Sequence, residues 1–354
     1  MGDSAGGPGA EVPGGAEVPG LDLVRLRGFL DRVLPGGVAG PLEARLLTGG
    51  KSNLTYDVAD GARHWVVRRP PLGHVLATAH DMSREHRVMS ALRETAVPVP
   101  QTYALCEDPD VIGAPFYVME RVAGTPYRRA AELAALGAAR TTTISQAMVD
   151  TLATLHEVVP ESVGLADFGR PERFLERQVR RWKQQLDASR SRDLPGADVL
   201  HAALADSVPA ASRPGIVHGD YRLDNLLVDD ADRVAAVVDW EMATVGDPLT
   251  DVALLLVYER MAELQGGAAV ADASRAPGFL SPDRQLERYA ERSGRDLSAM
   301  GFYLGLAYFK IAVILEGIHY RHLHGQTVGE GFDEVGAAVE PLLQAGLAAV
   351  KEDS

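Results

Sequence analysis

Two short stretches of this sequence carry most of its polar chemistry. The first runs His218-Gly219-Asp220-Tyr221-Arg222-Leu223-Asp224-Asn225, and the second is Val237-Val238-Asp239-Trp240-Glu241. Phosphoryl transfer from ATP needs a base near the acceptor hydroxyl, oxygen ligands for magnesium and positive charge along the phosphates. Asp220 can accept the hydroxyl proton, Asn225 can offer its amide oxygen to a metal, and Asp239, ending an apolar strand, can bridge the metal to the phosphates. The plainer alternative is that Asp220 and Asn225 make turn hydrogen bonds and Asp239 caps a following helix. The chemical reading gains weight because the second segment falls where a hairpin would return it beside the first.

These segments need a frame, and the rest of the chain supplies one in two styles. Leu23, Leu26, Leu30 and Val33 recur at helical spacing before the stop Pro35-Gly36-Gly37. Strands are expected over 42–47, 55–58 and 64–68, the last two joined by the hairpin signal Asp60-Gly61. A helix over 82–92 follows, then strands near 101–105 and 116–122. After Gly124 the pattern changes to long helices over 144–158, 174–186, 199–207, 249–259, 284–293, 300–319 and 335–349, interrupted by the strand-like stretch 216–239. The expected organisation is a tail over 1–20, a sheet-based lobe over 21–122 and a mostly helical lobe over 123–354.

Composition narrows the function classes. The 354 residues are 46% hydrophobic and 24% charged, ordinary for a globular protein. Their 35 Lys+Arg against 49 Asp+Glu give a net charge of −14, a field that repels nucleic-acid phosphates and anionic membranes. Neither nucleic acid nor membrane is therefore an expected partner. A single cysteine, Cys106, excludes an intrachain disulfide and suits a reducing cytoplasm. The first twenty residues lack a basic leader with an apolar core, and their Gly/Pro-rich sequence reads as a disordered tail. Phe302–Ile318, broken by Lys310 and Glu316, falls short of the roughly 20 residues of a membrane span and reads as a buried helix.

The pattern His-Gly-Asp-x4-Asn with a later Asp-Trp-Glu resembles the aminoglycoside phosphotransferase family. The resemblance implies an α+β, bilobal protein-kinase-like fold, with a small N-terminal antiparallel-sheet lobe and a larger, mostly helical C-terminal lobe. It implies ATP and Mg2+ as cofactors, Asp220 as catalytic base, Asn225 and Asp239 as magnesium ligands, and His218 as the brace of the catalytic loop. Arg222, two residues after the base, resembles a cation that clamps the transferred phosphate; the alternative is an arginine that pairs with Asp224. Asp251, in Gly246-Asp247-Pro248-Leu249-Thr250-Asp251, is expected to cap or brace the catalytic loop.

In the first lobe such kinases hold a cation over the α- and β-phosphates with a carboxylate from the nearby helix. Arg68 stands where the family usually has lysine, Glu85 is the matching carboxylate, and Arg69 is the runner-up, turned to the opposite face by strand alternation. Gly49-Gly50-Lys51-Ser52-Asn53 occupies the place of the phosphate-covering loop, with backbone amides near Ser52 and Asn53 available to the β-phosphate, or else it is a plain hairpin. Main-chain groups of Glu120 and Val122 are expected at the adenine.

Val97-Pro98-Val99-Pro100, the stretch Cys106–Glu120, and Tyr308-Phe309-Lys310-Ile311-Ala312 with Gly317, Ile318 and Arg321 look like the kinase domain fused to certain acyl-CoA dehydrogenases. That branch implies a small-molecule hydroxyl acceptor, the hydroxyl of a hydroxyacyl-CoA and notably a 4-hydroxyacyl-CoA; a monomer or homodimer is expected. Antibiotic phosphorylation is the alternative, and a catalytically silent nucleotide-binding scaffold a further one. The acidic total leans toward a cationic antibiotic, whereas Arg170, Arg173, Arg177, Arg180 and Arg181 form either an anion-receiving run or a solvated helix face.

Overall fold

The computed structural model describes residues 18–47, 53–73, 80–210, 212–261, 271–326 and 335–352. The chain divides into two compact units, one reaching Arg93 and adding Val99–Val122, the other made of Glu94–Pro98 and the chain from Ala123 onward. Glu94–Pro98 thus leaves the sheet-based part, and the Pro98 carbonyl accepts the Val237 N–H at 2.8 Å. Of the expected tail, residues 1–17 lie outside the described residues. Pro19 and Gly20 are tied down, their carbonyls accepting from the Tyr56 hydroxyl and from Arg69, both at 2.6 Å.

The first unit contains α1 (Leu23–Val33), β1 (Glu43–Leu46), β2 (Leu54–Ala59), β3 (His64–Arg69), α2 (Met82–Leu92), β4 (Thr102–Cys106), the single-turn α3 (Pro109–Ile112) and β5 (Phe116–Glu120). The strands form an antiparallel sheet in the order β1-β2-β3-β5-β4. Helix α1 starts where the Asp22 side chain accepts the N–H groups of Val24 and Arg25, and it turns Leu26, Phe29 and Leu30 inward. They pack with Tyr56, Trp65, Val67, Phe116 and Val118 into one apolar core. Asp60 builds the β2–β3 turn by accepting from the N–H groups of Ala62 and Arg63, while Gly61 takes the left-handed φ of 84° that the turn requires.

The second unit contains α4 (Ala130–Leu136), α5 (Ala138–Glu157), α6 (Phe174–Ser189), α7 (Pro195–Asp206), β6 (Gly215–Val217), β7 (Leu226–Val228), β8 (Val234–Val237), β9 (Thr244–Gly246), α8 (Leu249–Met261), α9 (Pro282–Ser293), α10 (Met300–Leu323) and α11 (Val339–Glu352). Strands β6 and β9 pair, as do β7 and β8, both antiparallel. Helix α10 packs against α6, α7, α8 and α11. At 24 residues it is longer than its apolar stretch foretold and passes the length and composition test for a membrane span, yet most of it is buried inside the protein. Helix α7 begins four residues earlier than expected, with Pro195 in its first turn, where a missing N–H costs nothing.

Candidate active site

The candidate base sits in a loop between β6 and β7 that is fixed from several directions. Asp251, on α8 and fully buried, accepts the N–H of His218 at 2.6 Å through Oδ2 and that of Gly219 at 2.8 Å through Oδ1. Burial pushes the Asp251 carboxyl up, but the bond with His156, the nearby His218 and the Gly219 N–H outweigh it and hold the group below its ordinary value. His218 Nδ1 accepts the Asp220 N–H at 3.2 Å, so its Nε2 carries the proton that it gives to the Val238 carbonyl at 3.0 Å. The ring packs beside Trp240, 4.7 Å between centroids. Gly219 has a φ of 84°, and a Cβ there would lie 2.7 Å from the Met242 carbonyl oxygen, so no other residue fits without a shift.

The same framework brings Asn225 and Asp239 to one end of the β7–β8 hairpin. Leu226 pairs with Val237, and the Val238 N–H donates to the Asn225 carbonyl at 2.9 Å. Asn225 Nδ2 donates to the Asp220 carbonyl at 2.8 Å and to Asp220 Oδ2 at 3.1 Å. That use of the amide nitrogen leaves Oδ1 for a cation. Asp239 follows β8 in the left-handed region at φ 67°, unusual for a residue other than glycine. Among the described residues no three His, Cys, Asp or Glu side chains gather as a metal cage. One carboxylate and one amide oxygen do suit magnesium, which binds few protein ligands and keeps water and phosphate oxygens.

Asp220 accepts a further hydrogen bond, from the Tyr258 hydroxyl to Oδ1 at 2.8 Å. Burial pushes its carboxyl above the ordinary range, against the pull of Arg222, Tyr258, His218 and Lys310. Sequence reasoning missed Tyr258 and Lys310. Lys310, on α10, donates from Nζ to the Gly219 carbonyl at 3.0 Å and lies 5.7 Å from the Trp182 ring centroid. Arg222 takes the pairing that the sequence left open: its Nε donates to Asp224 Oδ1 at 2.6 Å and its other arm reaches Oδ2, while its carbon lies over the Tyr258 ring at 5.1 Å. A pocket opens beside Arg222 and Tyr258, lined also by Tyr127, Leu223, Glu259 and Phe279 among others. Burial raises the Glu259 carboxyl to about 8, and one of its oxygens accepts from Gln285 at 2.7 Å.

In the first unit, β3 carries Arg68 between Thr55 of β2 and Tyr117 of β5 in the strand register. Its Nε lies 3.0 Å from Glu85 Oε2. Glu85, turned inward from α2, also accepts from Asn53 Nδ2 at 3.0 Å and the Tyr117 hydroxyl at 2.9 Å. Arg69 points elsewhere, donating to the carbonyls of Gly20 and Ile112. The Glu120 N–H is committed to the Gln101 carbonyl at 2.7 Å, and the Val122 carbonyl accepts from Arg121 at 2.9 Å. Ser52, with 48–51 before it, lies outside the described residues.

The loop around Asp220 and the hairpin that carries Asn225 and Asp239 thus stand together, and comparison with known proteins shows the class of protein they belong to. The chain belongs to the phosphotransferase enzyme family, whose model matches residues 43–303. It is 34% identical over 351 residues to acyl-CoA dehydrogenase family member 11 of Gallus gallus, an alignment covering 96% of this chain and 45% of that protein. The chain thus spans about half the length of that curated relative. Among solved structures, a Ralstonia eutropha protein assigned to the aminoglycoside phosphotransferases superposes with a TM-score of 0.81 at 33% identity, covering 94% of this chain and 98% of that one. The fold, at a TM-score of 0.59 and 18% identity, is also that of aminoglycoside phosphotransferase APH(4)-Ia in its ternary complex with AMP-PNP and hygromycin B, covering 92% of this chain and 98% of that one. The α+β, kinase-like architecture expected from the sequence is therefore the one observed.

Proposed function

We propose that this phosphotransferase is an ATP- and magnesium-dependent kinase that phosphorylates the hydroxyl of a small molecule, a 4-hydroxyacyl-CoA. The observation that carries the reading is the fixed Asp220 carboxylate, with a Tyr258 hydroxyl on one oxygen and the Asn225 amide on the other. Each oxygen keeps a lone pair for the proton of an acceptor hydroxyl, and a raised affinity for that proton suits a general base. The acceptor oxygen attacks the γ-phosphorus of ATP, an O–P bond forms, the bond to the β-phosphate oxygen breaks, Asp220 takes the proton and ADP leaves. Magnesium held by Asn225 Oδ1 and Asp239 would neutralise charge on the phosphates. His218 and Asp251 fix the loop rather than react. Arg68, positioned by Glu85, serves the α- and β-phosphates; Asn53 joins that cluster, and Glu120 and Val122 offer main-chain groups to adenine. Nucleotide use is supported by the AMP-PNP bound to the relative of the same fold.

The acceptor class rests on the similarity to an acyl-CoA dehydrogenase family member over nearly the whole chain. Phosphorylation of an antibiotic is the second reading, favoured by the net charge of −14, which attracts polycations. A silent scaffold is opposed by the intact Asp220, Asn225 and Asp239. The test is mass spectrometry after incubation with Mg-ATP and a panel of 4-hydroxyacyl-CoAs, 3-hydroxyacyl-CoAs, aminoglycosides and macrolides. A phosphate mass gain is expected on the 4-hydroxyacyl-CoAs and absent with Asp220→Ala. A gain on antibiotics alone transfers the assignment to the second reading, and ATP binding without any gain to the scaffold.

A further inference from the structure

Lys310 is a residue for which neither the fold nor the reaction above has a use. From Met300 to Leu315 it is the one charged residue of α10, flanked by the fully packed Phe309 and Ile311. A helix that needed only to fill this space would carry leucine or methionine, because taking an ammonium out of water is costly unless it is paired. Among the described residues Lys310 forms no ion pair, and its one hydrogen-bond partner is the carbonyl of Gly219. Burial lowers its affinity for the proton, with Asp220 and Asp251 pulling the other way and Arg181 adding to the loss. An ammonium has three donors, so two remain.

Their location gives them a use. The Gly219 carbonyl belongs to the peptide group that joins Gly219 to Asp220, so a molecule whose hydroxyl reaches Asp220 comes within reach of Lys310. The Trp182 ring, 5.7 Å from Nζ, backs the ammonium and limits where its free N–H groups can point. Arg222, the other cation by the base, already has its fork on Asp224. We propose that Lys310 is a specificity-determining residue of the acceptor site, donating to an electron-rich oxygen, a carbonyl or carboxylate, carried close to the hydroxyl that is phosphorylated. This rests on the kinase reading with Asp220 as base. An acceptor with an ammonium beside its hydroxyl would meet a like charge at Lys310 and be rejected, whatever the attraction of the acidic surface.

The test separates the inference from the reading beneath it. Binding of 4-hydroxyoctanoyl-CoA, free CoA, kanamycin and AMP-PNP is measured by calorimetry on the wild-type protein and on Lys310→Met, the acceptors without nucleotide. Lys310→Met is expected to weaken 4-hydroxyoctanoyl-CoA about 10- to 100-fold, the range of one charged hydrogen bond. Free CoA and AMP-PNP should bind unchanged, and Tm should hold or rise as the lone charge of an apolar helix stretch is removed. Lys310→Gln, which keeps a neutral donor, should recover part of the loss. Unchanged affinity for 4-hydroxyoctanoyl-CoA, no binding of it to the wild type, an equal loss for free CoA or AMP-PNP, or a parallel fall in Tm would overturn the inference. Wild-type phosphorylation of kanamycin but not of the hydroxyacyl-CoA would also overturn it and spare the kinase reading. Phosphate transfer to no acceptor would instead defeat the kinase reading, whatever the binding shows.

Discussion

The polar clusters of the two units are built on opposite principles. In the first, Arg68 and Glu85 face each other as a buried pair, and Asn53 and Tyr117 supply hydrogen bonds to the same carboxylate. Here the carboxylate meets a cation directly. In the second, Asp220 receives donors from neutral groups, Tyr258 and Asn225, while Lys310 rests on a carbonyl. There Arg222 pairs with Asp224, but Asp220 and Lys310 are not joined to each other, so capacity for a proton and for hydrogen bonds is left over. A cation fixed by a carboxylate suits the holding of a constant partner, and a carboxylate fixed by neutral donors suits a group whose charge changes during reaction.

The sharpest way to break this comparison is to remove the carboxylate that is expected to change its proton. Asp220→Ala should lower turnover about 100- to 10,000-fold, the usual worth of a general base, with ATP affinity intact by calorimetry. Near-normal turnover would remove Asp220 as the base. Breaking the paired cluster should act differently: Glu85→Ala removes one partner of the buried Arg68, which costs about 3–5 kcal/mol in denaturant unfolding and raises the KM for ATP. A rise in KM for the acceptor alone would contradict the assignment of this cluster to the nucleotide.

Asp251→Asn tests the loop's framework. Replacing one acceptor oxygen by an NH2 group sets donor against donor at His218 or Gly219, a loss of about 1–3 kcal/mol that thermal unfolding would report. The smallest effect is expected at Glu259. Its carboxyl titrates near 8 when folded against an ordinary 4.5, so the folded state holds the extra proton between those values and stability falls as pH rises through that window. Glu259→Gln should match the wild type near pH 5 and exceed its Tm by about 2–5 °C at pH 8. An equal difference at both values would mean that the carboxyl is not held protonated.

Much of the frame was visible in the sequence because apolar periodicity reports burial directly. Leu26 and Leu30 of α1 and the strand residues Val58, Trp65 and Val67 are buried as their spacing predicts. Strand β9 escaped notice because three residues carry no period, and its pairing with β6 joins segments some thirty residues apart. The short helices α3 and α4 were missed for the same lack of length. At the site, the contiguous motif around Asp220 could be read because its members sit within eight positions, and the hairpin could be foreseen from the apolar run before Asp239. Tyr258 and Lys310 could not, since each reaches Asp220 or its neighbour from a helix far along the chain. Lys310 left one trace, a lone charge in an otherwise apolar helix. The Arg222–Asp224 pair is local, and the sequence kept it open as an alternative.

The grip of Asp251 on two successive amides has a consequence for motion. Loops usually exchange their amide hydrogens with water quickly, because local opening costs them little. The N–H groups of His218 and Gly219 end instead on a carboxylate buried in the helical core, on α8, with His156 bound behind it at 3.3 Å. Their hydrogens can leave only when that whole assembly opens. In hydrogen exchange these two loop amides should therefore keep time with the interior of α8 rather than with the surface turns, and the base should be held in place before any reactant arrives.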